Sequence, residues 1–150
     1  MKRPFLSEGH DDCGDRLIHR MDRIIQDTSK MMYEELTQVV IAACFEVINE
    51  LGTGFLESVY ERALLIALGQ KGISARAQVP LNVRFRGEIV GEFFADVLVE
   101  EKLILELKAV RMLLPEHQAQ VINYLKATGI DVGLLVNFGN AKLEVRRLYR

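Results

Sequence analysis

The chain has 150 residues and a mass of 17.0 kDa, which is enough for one domain with a buried core. Its hydrophobic content of 49% and charged content of 27% are ordinary for a soluble globular protein, and no apolar run approaches the about 20 residues that span a bilayer. The first residues lack the apolar stretch of a secretory signal, and two cysteines make no disulfide framework. We therefore expect a cytoplasmic protein with no membrane association, with Cys44 as a small buried hydrophobe.

The net charge of -2 is unevenly distributed along the chain. Residues 1–61 hold 6 Lys and Arg against 12 Asp and Glu, whereas residues 62–150 hold 13 against 9. Arginines gather near one predicted hairpin and at the carboxyl end: Arg76, Arg84 and Arg86, then Arg146, Arg147 and Arg150. A phosphate-facing surface and an ordinary solvated surface both account for this pattern.

The first thirty residues differ in composition from the rest, and we expect an N-terminal extension over 1–30, mobile or a short helix, before a domain over 31–150. The apolar residues that would form such a helix are Leu17, Ile18, Met21, Ile24 and Ile25. Metal-capable residue types also occur here, at His10, Asp11, Asp12 and Cys13. Four adjacent side chains cannot easily converge on one ion, so a mobile tail is favoured over a metal site. Met31 or Met32 is a candidate start of the domain.

Apolar residues at helical spacing predict a first helix over 33–51, ended by Gly52. A second helix is predicted over 55–69, with Thr53 as its N-cap. Glu57 falls in its first turn, where the helix dipole favours an anion. The predicted core stripe of this second helix consists of Leu56, Val59, Ala63, Ile66 and Ala67.

The rest of the chain reads as strands with one more helix. The predicted elements are strands over 79–85 and 89–99, a hairpin arm over 103–110, a helix over 116–128, a strand over 130–138 and an edge strand over 142–148. The order is helix, helix, three antiparallel strands, helix, strand, strand. This order predicts an α/β fold, with a mixed sheet flanked by helices.

The most informative stretch is the hairpin over 93–110, whose two arms turn at residues 100–102. On its second arm Leu103, Leu105 and Leu107 share one face, and Ile104, Glu106 and Lys108 share the other. On its first arm Asp96 is expected to share a face with Phe94 and Leu98. Pairing centred on Glu101 would set Asp96 across from Glu106, with the strands about 4.8 Å apart.

Two carboxylates on a mostly apolar face are costly, about 3 kcal/mol at a separation of about 5 Å and an effective dielectric constant of about 20. Lys108 relieves part of this repulsion, and a divalent cation such as Mg²⁺ would relieve more. The alternative is a surface hairpin whose polar face carries an ion pair, and spacing alone leaves both open.

Three motifs occur in order along the chain: GxxExxY from Gly54 to Tyr60, then Asp96 with Glu106 and Lys108 as D…ExK, then QxxxY from Gln120 to Tyr124. Together they resemble the GxxExxY proteins of the PD-(D/E)xK nuclease superfamily. The resemblance covers residues 31–150 and implies a restriction-endonuclease-like mixed β-sheet core flanked by helices.

The resemblance also implies roles for single residues. The implied catalytic residues are Glu57, Asp96, Glu106, Lys108 and Gln120. The implied ligands of Mg²⁺ or Mn²⁺ are Glu57, Asp96, Glu106 and the backbone carbonyl of Leu107. Supporting roles fall to Tyr60, His117 and Tyr124, with His117 at a helix start on the edge of the site. Two positions depart from the family pattern: Ile48 stands where many relatives carry a histidine, and Ala95 stands in place of proline.

The implied function is metal-dependent hydrolysis of phosphodiester bonds in nucleic acid, with DNA expected. The proton acceptor stays open among a metal-bound hydroxide, a substrate phosphate and Lys108. A different class of function, a non-catalytic nucleic-acid-binding or protein-interaction module with the same fold, is the alternative. The sequence leaves open whether the protein cleaves DNA or RNA, at ends or internally, and whether it forms a homodimer.

Overall fold

The computed structural model describes residues 12–150, and within that range the side chains of residues 14–28, 30–31 and 33–150. The elements are α1 (Asp12–Leu51), α2 (Glu57–Gln70), β1 (Ala75–Phe85), β2 (Glu88–Val99), β3 (Leu103–Lys108), α3 (Pro115–Thr128), β4 (Val132–Asn137) and β5 (Glu144–Tyr149). The predicted order of helices and strands is confirmed. None of the helices in residues 12–150 is long and apolar enough to cross a membrane.

The five strands form one sheet in the order β1-β2-β3-β4-β5. The central pair β3 and β4 is parallel, and the other neighbours are antiparallel. One core cluster lies between the sheet and helices α1 and α2, and a second lies between the sheet and α3. The predicted α/β class, with a mixed sheet flanked by helices on both faces, is confirmed.

Strand β3 alternates between the two cores as its period-two pattern predicted. Leu103, Leu105 and Leu107 pack in the core under α1 and α2. Ile104 packs in the core under α3, and Glu106 and Lys108 point to that same side because they follow it at intervals of two. The carboxylate and the ammonium therefore lie on the α3 face of a central strand.

Strand β2 reverses its alternation at Asp96. Before that point Ala95 packs in the core under α3, whereas after it Val97 packs under α1 and α2, and Leu98 takes the α3 side. The irregularity lies opposite Gln78 of β1, a non-glycine residue with φ of 51°. The prediction that Phe94 shares a face with Asp96 and Leu98 is wrong, because this irregularity turns the strand between residues 95 and 97.

The turn between β2 and β3 lies at the predicted residues 100–102. Glu100 and Glu101 have φ of 51° and 56°, as the two central residues of a type I′ hairpin turn require. Contacts to β1 and to the residue before it stabilise this strained turn: the Glu100 carboxylate accepts the Ser74 N–H at 2.9 Å, and Arg76 donates to both oxygens of Glu101 at 2.9 and 3.0 Å.

Helix α2 begins later than predicted and buries a different face. It starts at Glu57, and the N-cap position belongs to Leu56, which makes no side-chain cap, so the prediction of Thr53 as the cap is wrong. The predicted core stripe is right at Ala67, which is buried, and wrong at Leu56 and Ile66, which are 76% and 64% exposed. The side chains that the helix buries are Tyr60, Leu64, Ala67 and Leu68. The prediction failed at those positions because successive residues of a helix point about 100° apart, so a shift of one residue in the pattern moves the predicted face around the helix.

Helix α1 is one continuous helix across residues 30 and 31, so the predicted start at 33 and the short separate helix are wrong. Its buried side chains begin at Thr37, and Cys44 is buried as predicted. All described side chains from residue 14 to residue 31 are exposed. The suggested metal-capable residues His10 to Cys13 lie outside the described side chains, and the domain boundary at 30/31 stays a prediction.

Candidate metal centre

Asp96 and Glu106 lie where strands β2 and β3 separate. The last paired residues are Val97 and Leu105, and the same register places Asp96 opposite Glu106. Beyond this pair the Oδ2 atom of Asp96 accepts the backbone N–H of Leu107 at 2.7 Å. The side chain thus binds a backbone group at the point where the ladder ends, which fixes the orientation of the carboxylate.

Glu106 is a buried carboxylate, only 4% exposed, and its Oε2 atom has no hydrogen-bond partner. Burial raises the pKa of Glu106 to about 8, and the negative charge of Asp96 adds to the rise, while Lys108 opposes it. Native proteins rarely leave a buried polar atom unpaired, so this oxygen requires an explanation.

Lys108 supplies the positive charge beside this pair. Its Nζ atom lies 3.8 Å from Oε1 of Glu106, and its side chain is 16% exposed. The backbone at this end of β3 is also held, since the Lys108 carbonyl accepts the Phe138 N–H at 2.7 Å. The buried amide of Asn137 binds both the N–H and the carbonyl of Val110, at 3.0 and 2.8 Å. The lysine therefore extends from a fixed backbone.

Two residues that the sequence did not reveal adjoin Asp96. The side-chain amide of Gln78 donates to Oε2 of Glu61 at 2.7 Å and lies 3.4 Å from Oδ1 of Asp96. Glu61 follows Glu57 by four residues and so shares its side of α2, which is a signal that sequence inspection can use. No sequence signal marks Gln78, because its place opposite Asp96 depends on the register of β1 and β2.

Glu57 lies exposed in the first turn of α2. Within residues 12–150, no hydrogen bond or ion pair links it to Asp96 or Glu106, and no group of three or more His, Cys, Asp or Glu side chains gathers that would hold a metal ion. The structure thus brings together two of the three predicted carboxylates. The ligand role of Glu57 stays a prediction.

Gln120 and Tyr124 of α3 form a linked pair on the side of the sheet that carries Glu106. The Gln120 amide donates to the Tyr124 hydroxyl oxygen at 2.8 Å, and the Tyr124 ring packs 5.9 Å from that of Phe93. Burial raises the pKa of Tyr124, the hydrogen bond from Gln120 lowers it, and the charges of Glu106 and Asp96 raise it further. Tyr124 therefore lies within the electrostatic field of both carboxylates.

The two other predicted supporting residues hold helix ends. Tyr60 is fully buried, stacks on Phe138 with ring centroids 4.6 Å apart, and donates its hydroxyl to the Gly52 carbonyl at 2.7 Å. His117 accepts the Leu114 N–H on its Nδ1 atom at 3.0 Å, and its own backbone N–H donates to the Leu114 carbonyl at 3.0 Å, so it holds the start of α3. Tyr60 and His117 can therefore affect the carboxylates only indirectly, by fixing the positions of α2 and α3.

The donor set fits a hard divalent cation. Such ions take carboxylate and carbonyl oxygens, and the unpaired Glu106 oxygen faces a second carboxylate at the end of the strand pair. A cation there would satisfy that oxygen and remove the repulsion between Asp96 and Glu106. Softer metals prefer thiolate and imidazole, and neither residue type occurs in this cluster.

Comparison with known proteins identifies the class. A family model described as PD-(D/E)XK nuclease superfamily matches residues 34–148, and this match covers most of the chain. The chain therefore belongs to the PD-(D/E)XK nuclease superfamily, whose nucleases generally use divalent metals. The matched range contains Asp96, Glu106 and Lys108, as well as the three motifs that the sequence analysis singled out.

Individual relatives are distant. A solved structure described as "Crystal structure of SSO0001" is 17% identical, with a TM-score of 0.49, over 62% of this chain and 49% of that one. The present chain thus spans about half the length of that solved protein. None of the curated proteins matches the chain.

Proposed function

We propose that the protein is a divalent-metal-dependent nuclease of the GxxExxY group, which hydrolyses phosphodiester bonds in DNA. The observation that carries this proposal is the cluster of Asp96, Glu106 and Lys108 at the point where the pairing of β2 and β3 ends. Its buried carboxylate oxygen is unpaired, as expected for an atom that binds a metal. Membership of a nuclease superfamily supports the reaction class.

The residues that would hold a Mg²⁺ or Mn²⁺ ion are Asp96, Glu106 and the backbone carbonyl of Leu107, with Glu57 carried as a further predicted ligand. A bound ion of this kind lowers the pKa of a water molecule and stabilises negative charge on phosphoryl oxygens. The hydrogen bond from the Leu107 N–H keeps Asp96 oriented without a metal, so little reorganisation is needed when one binds.

Lys108 acts on the substrate by charge. Its ammonium group, held beside Glu106, would stabilise the negative charge that grows on the phosphoryl group as the water oxygen attacks. On α3, Gln120 fixes the Tyr124 hydroxyl by a hydrogen bond, and this helix bounds one side of the site. Gln120 and Tyr124 position groups around the reaction and contribute no charge of their own at neutral pH.

A path for the nucleic acid runs between α3 and the β1–β2 hairpin. A cleft of about 350 Å³ is lined by Gln120, Tyr124 and Phe93, and a second of about 620 Å³ shares Phe93 and continues to Arg84 and Lys126. Cationic side chains at the far end of an open cleft favour a polyanion. The backbone of a nucleic acid that extended along α3 from Asp96, Glu106 and Lys108 would meet both Arg84 and Lys126.

Incubation with plasmid, linear and single-stranded DNA, and with RNA, in Mg²⁺ or Mn²⁺ tests the proposal. We expect cleavage of DNA by the natural protein and a loss of 100-fold or more, on the order expected for a removed charge-stabilising group, in Asp96→Asn and Lys108→Ala. Glu92→Gln, at an exposed carboxylate of β2, is the matched control and keeps full activity. Equal cleavage by all variants would point to a contaminating nuclease and contradict the proposal.

A non-catalytic binding module is the second candidate, since no third metal-capable side chain joins Asp96 and Glu106 within the described residues. Thermal unfolding with and without Mg²⁺ separates the two. An ion that binds only the folded state stabilises it by about 2.7 kcal/mol at a hundredfold excess over Kd. A shift that disappears in Asp96→Asn supports the nuclease, whereas DNA binding with no metal shift supports the module.

A further inference from the structure

The amino-terminal part of α1 carries an apolar stripe that the domain itself does not cover. Six large apolar side chains between residues 17 and 31 are more than half exposed: Leu17, Ile18, Met21, Ile24, Ile25 and Met31. Patches of this kind mark sites of association, since monomeric proteins rarely expose contiguous apolar surface. A solvated helical stretch of this length also gains little stability from its own hydrogen bonds.

Most of the stripe does not continue the face that α1 turns toward the core. Each residue turns the helix by about 100°, so Met21, Ile24 and Thr28 lie between about a quarter and about a half turn away from the direction of the buried Val40, whereas Ile18 and Ile25 lie within about a sixth of a turn of it. Apart from Ile18 and Ile25, the stripe therefore faces away from the core and is open to a second molecule.

The spacing within the stripe is that of a coiled coil. Its central residues advance in steps of four and three, through Leu17, Met21, Ile24, Thr28 and Met31. Ile18 and Ile25 flank this line on one side, and Arg20 and Asp27 flank it on the other. We propose that two copies of this chain associate through an antiparallel pairing of α1, centred between residues 22 and 23.

The flanking charges select this partner and this direction. In the antiparallel pairing Met21 of one copy packs on Ile24 of the other, and Arg20 of each copy meets Asp27 of the other. The contact is self-complementary, as a twofold interface requires. In a parallel pairing Arg20 would lie beside Ile25 instead, and the opposite charges would not meet.

The geometry leaves room for both domains. Residue 33, where α1 enters the domain, lies opposite residue 12 of the second copy, so the two domains sit at opposite ends of the helix pair, about 30 Å apart along its axis. A cleft of about 440 Å³ between α1 and strands β4 and β5, lined by Ile25, Tyr33, Val132 and Tyr149, continues the apolar surface on the Ile25 side. The beginning of the second helix would cover it.

Analytical ultracentrifugation of the full chain, from about 1 to about 200 μM, tests the pairing, because an interface at the small end of the specific range is expected to dissociate at micromolar concentration. We expect a dimer that Ile24→Glu converts to a monomer at all these concentrations. His19→Glu, on the opposite side of the same stretch, is the matched control and remains dimeric. Circular dichroism checks that each variant stays helical.

Charge exchange tests the direction. Arg20→Asp alone and Asp27→Arg alone are expected to weaken self-association at least tenfold, because each sets like charges together. An equimolar mixture of the two single variants, and the double variant R20D/D27R by itself, are expected to restore the dimer. A parallel pairing would show no such rescue and would overturn the proposed orientation.

Three results would overturn the proposal itself. They are a monomer at every concentration, a dimer that Ile24→Glu leaves intact, and a monomer that sediments with vesicles of phosphatidylserine and phosphatidylcholine, which would assign the stripe to a membrane surface. None of these measurements depends on nuclease activity, so the pairing and the proposed function stand or fall separately.

Discussion

At the scale of single residues, Glu106 is a carboxylate whose ionised form is unfavourable in the metal-free fold. It is a nearly fully buried carboxylate beside a second carboxylate, and the cationic Nζ atom of Lys108 lies 3.8 Å from it. Burying a charge without full pairing costs free energy, and such groups persist where function requires them. Removal of its charge should therefore stabilise the metal-free protein.

The variant Glu106→Gln tests whether the buried negative charge of Glu106 lowers stability, because that charge depends on pH. The folded protein holds the pKa of Glu106 at about 8 against 4.5 for the ordinary group, so the folded state binds the proton more tightly and stability falls as the pH rises from 4.5 to 8. The variant lacks this loss, and we expect it to gain about 1–3 kcal/mol over the natural protein near pH 8 and little near pH 5. Urea unfolding in EDTA measures the difference. A gain that is the same at both pH values would show that the charge is not its source.

The two acids of α2 give a second prediction. Glu61 is joined to Asp96 through the Gln78 amide, whereas Glu57 has no described contact with the cluster. We expect Glu61→Gln to lower nuclease activity at least tenfold by replacing the charge-assisted hydrogen bond to Gln78 with a weaker neutral one and so loosening Asp96, an effect typical of groups that orient a ligand. Glu57→Gln is the matched comparison, measured by cleavage rate and by the Mg²⁺-induced melting shift. If Glu57→Gln alone abolished the shift, the ligand role that the family resemblance implies would be supported instead.

At the scale of elements, α2 is held by its amino-terminal end. The Tyr60 hydroxyl donates to the Gly52 carbonyl and lies 3.3 Å from the Phe55 N–H, and its ring stacks on Phe138, which follows β4. This one side chain ties the loop before α2 to the sheet. A tyrosine in the GxxExxY motif thus has a structural task that its position in the motif does not reveal.

Tyr60→Phe separates that structural task from catalysis. Loss of the hydroxyl leaves the Gly52 carbonyl without its partner while the ring stack remains, so we expect a destabilisation of about 1–2 kcal/mol. Cleavage rate at a temperature well below unfolding should change less than twofold. Chemical denaturation and the DNA assay, run on the same preparation, provide both numbers. A large loss of rate with unchanged stability would instead mean that the hydroxyl acts at the site.

At the scale of the whole molecule, the described side chains in the amino-terminal part of α1 do not contribute to the buried cores of the domain. Among the residues whose side chains are described, every buried one lies at or after Thr37, and the buried apolar ones form two cores on either face of the sheet. The described side chains of residues 14–31 are exposed. Removal of that stretch therefore leaves both cores intact.

A chain beginning at Met31 tests this separation. We expect it to fold with a melting temperature within a few degrees of the full chain, since a surface helix with no buried contacts adds little stability. It should also be monomeric, because the apolar stripe is gone. Calorimetry and ultracentrifugation give the two results. A shortened chain that fails to fold would show that the predicted domain boundary at 30/31 is wrong.

The sequence by itself determined the order of elements, the turn at residues 100–102, the opposed faces of β3 and the membership of a nuclease family. These follow from local periodicity and from motifs that can be read directly along the chain. The tertiary structure alone decided which face of α2 is buried, where β2 reverses its faces, and that Gln78 connects Glu61 to Asp96. Each of these depends on how segments far apart in sequence meet. The reversal at Asp96 lies opposite Gln78 of β1, and the buried face of α2 includes Tyr60, which stacks on Phe138, about eighty residues further along the chain.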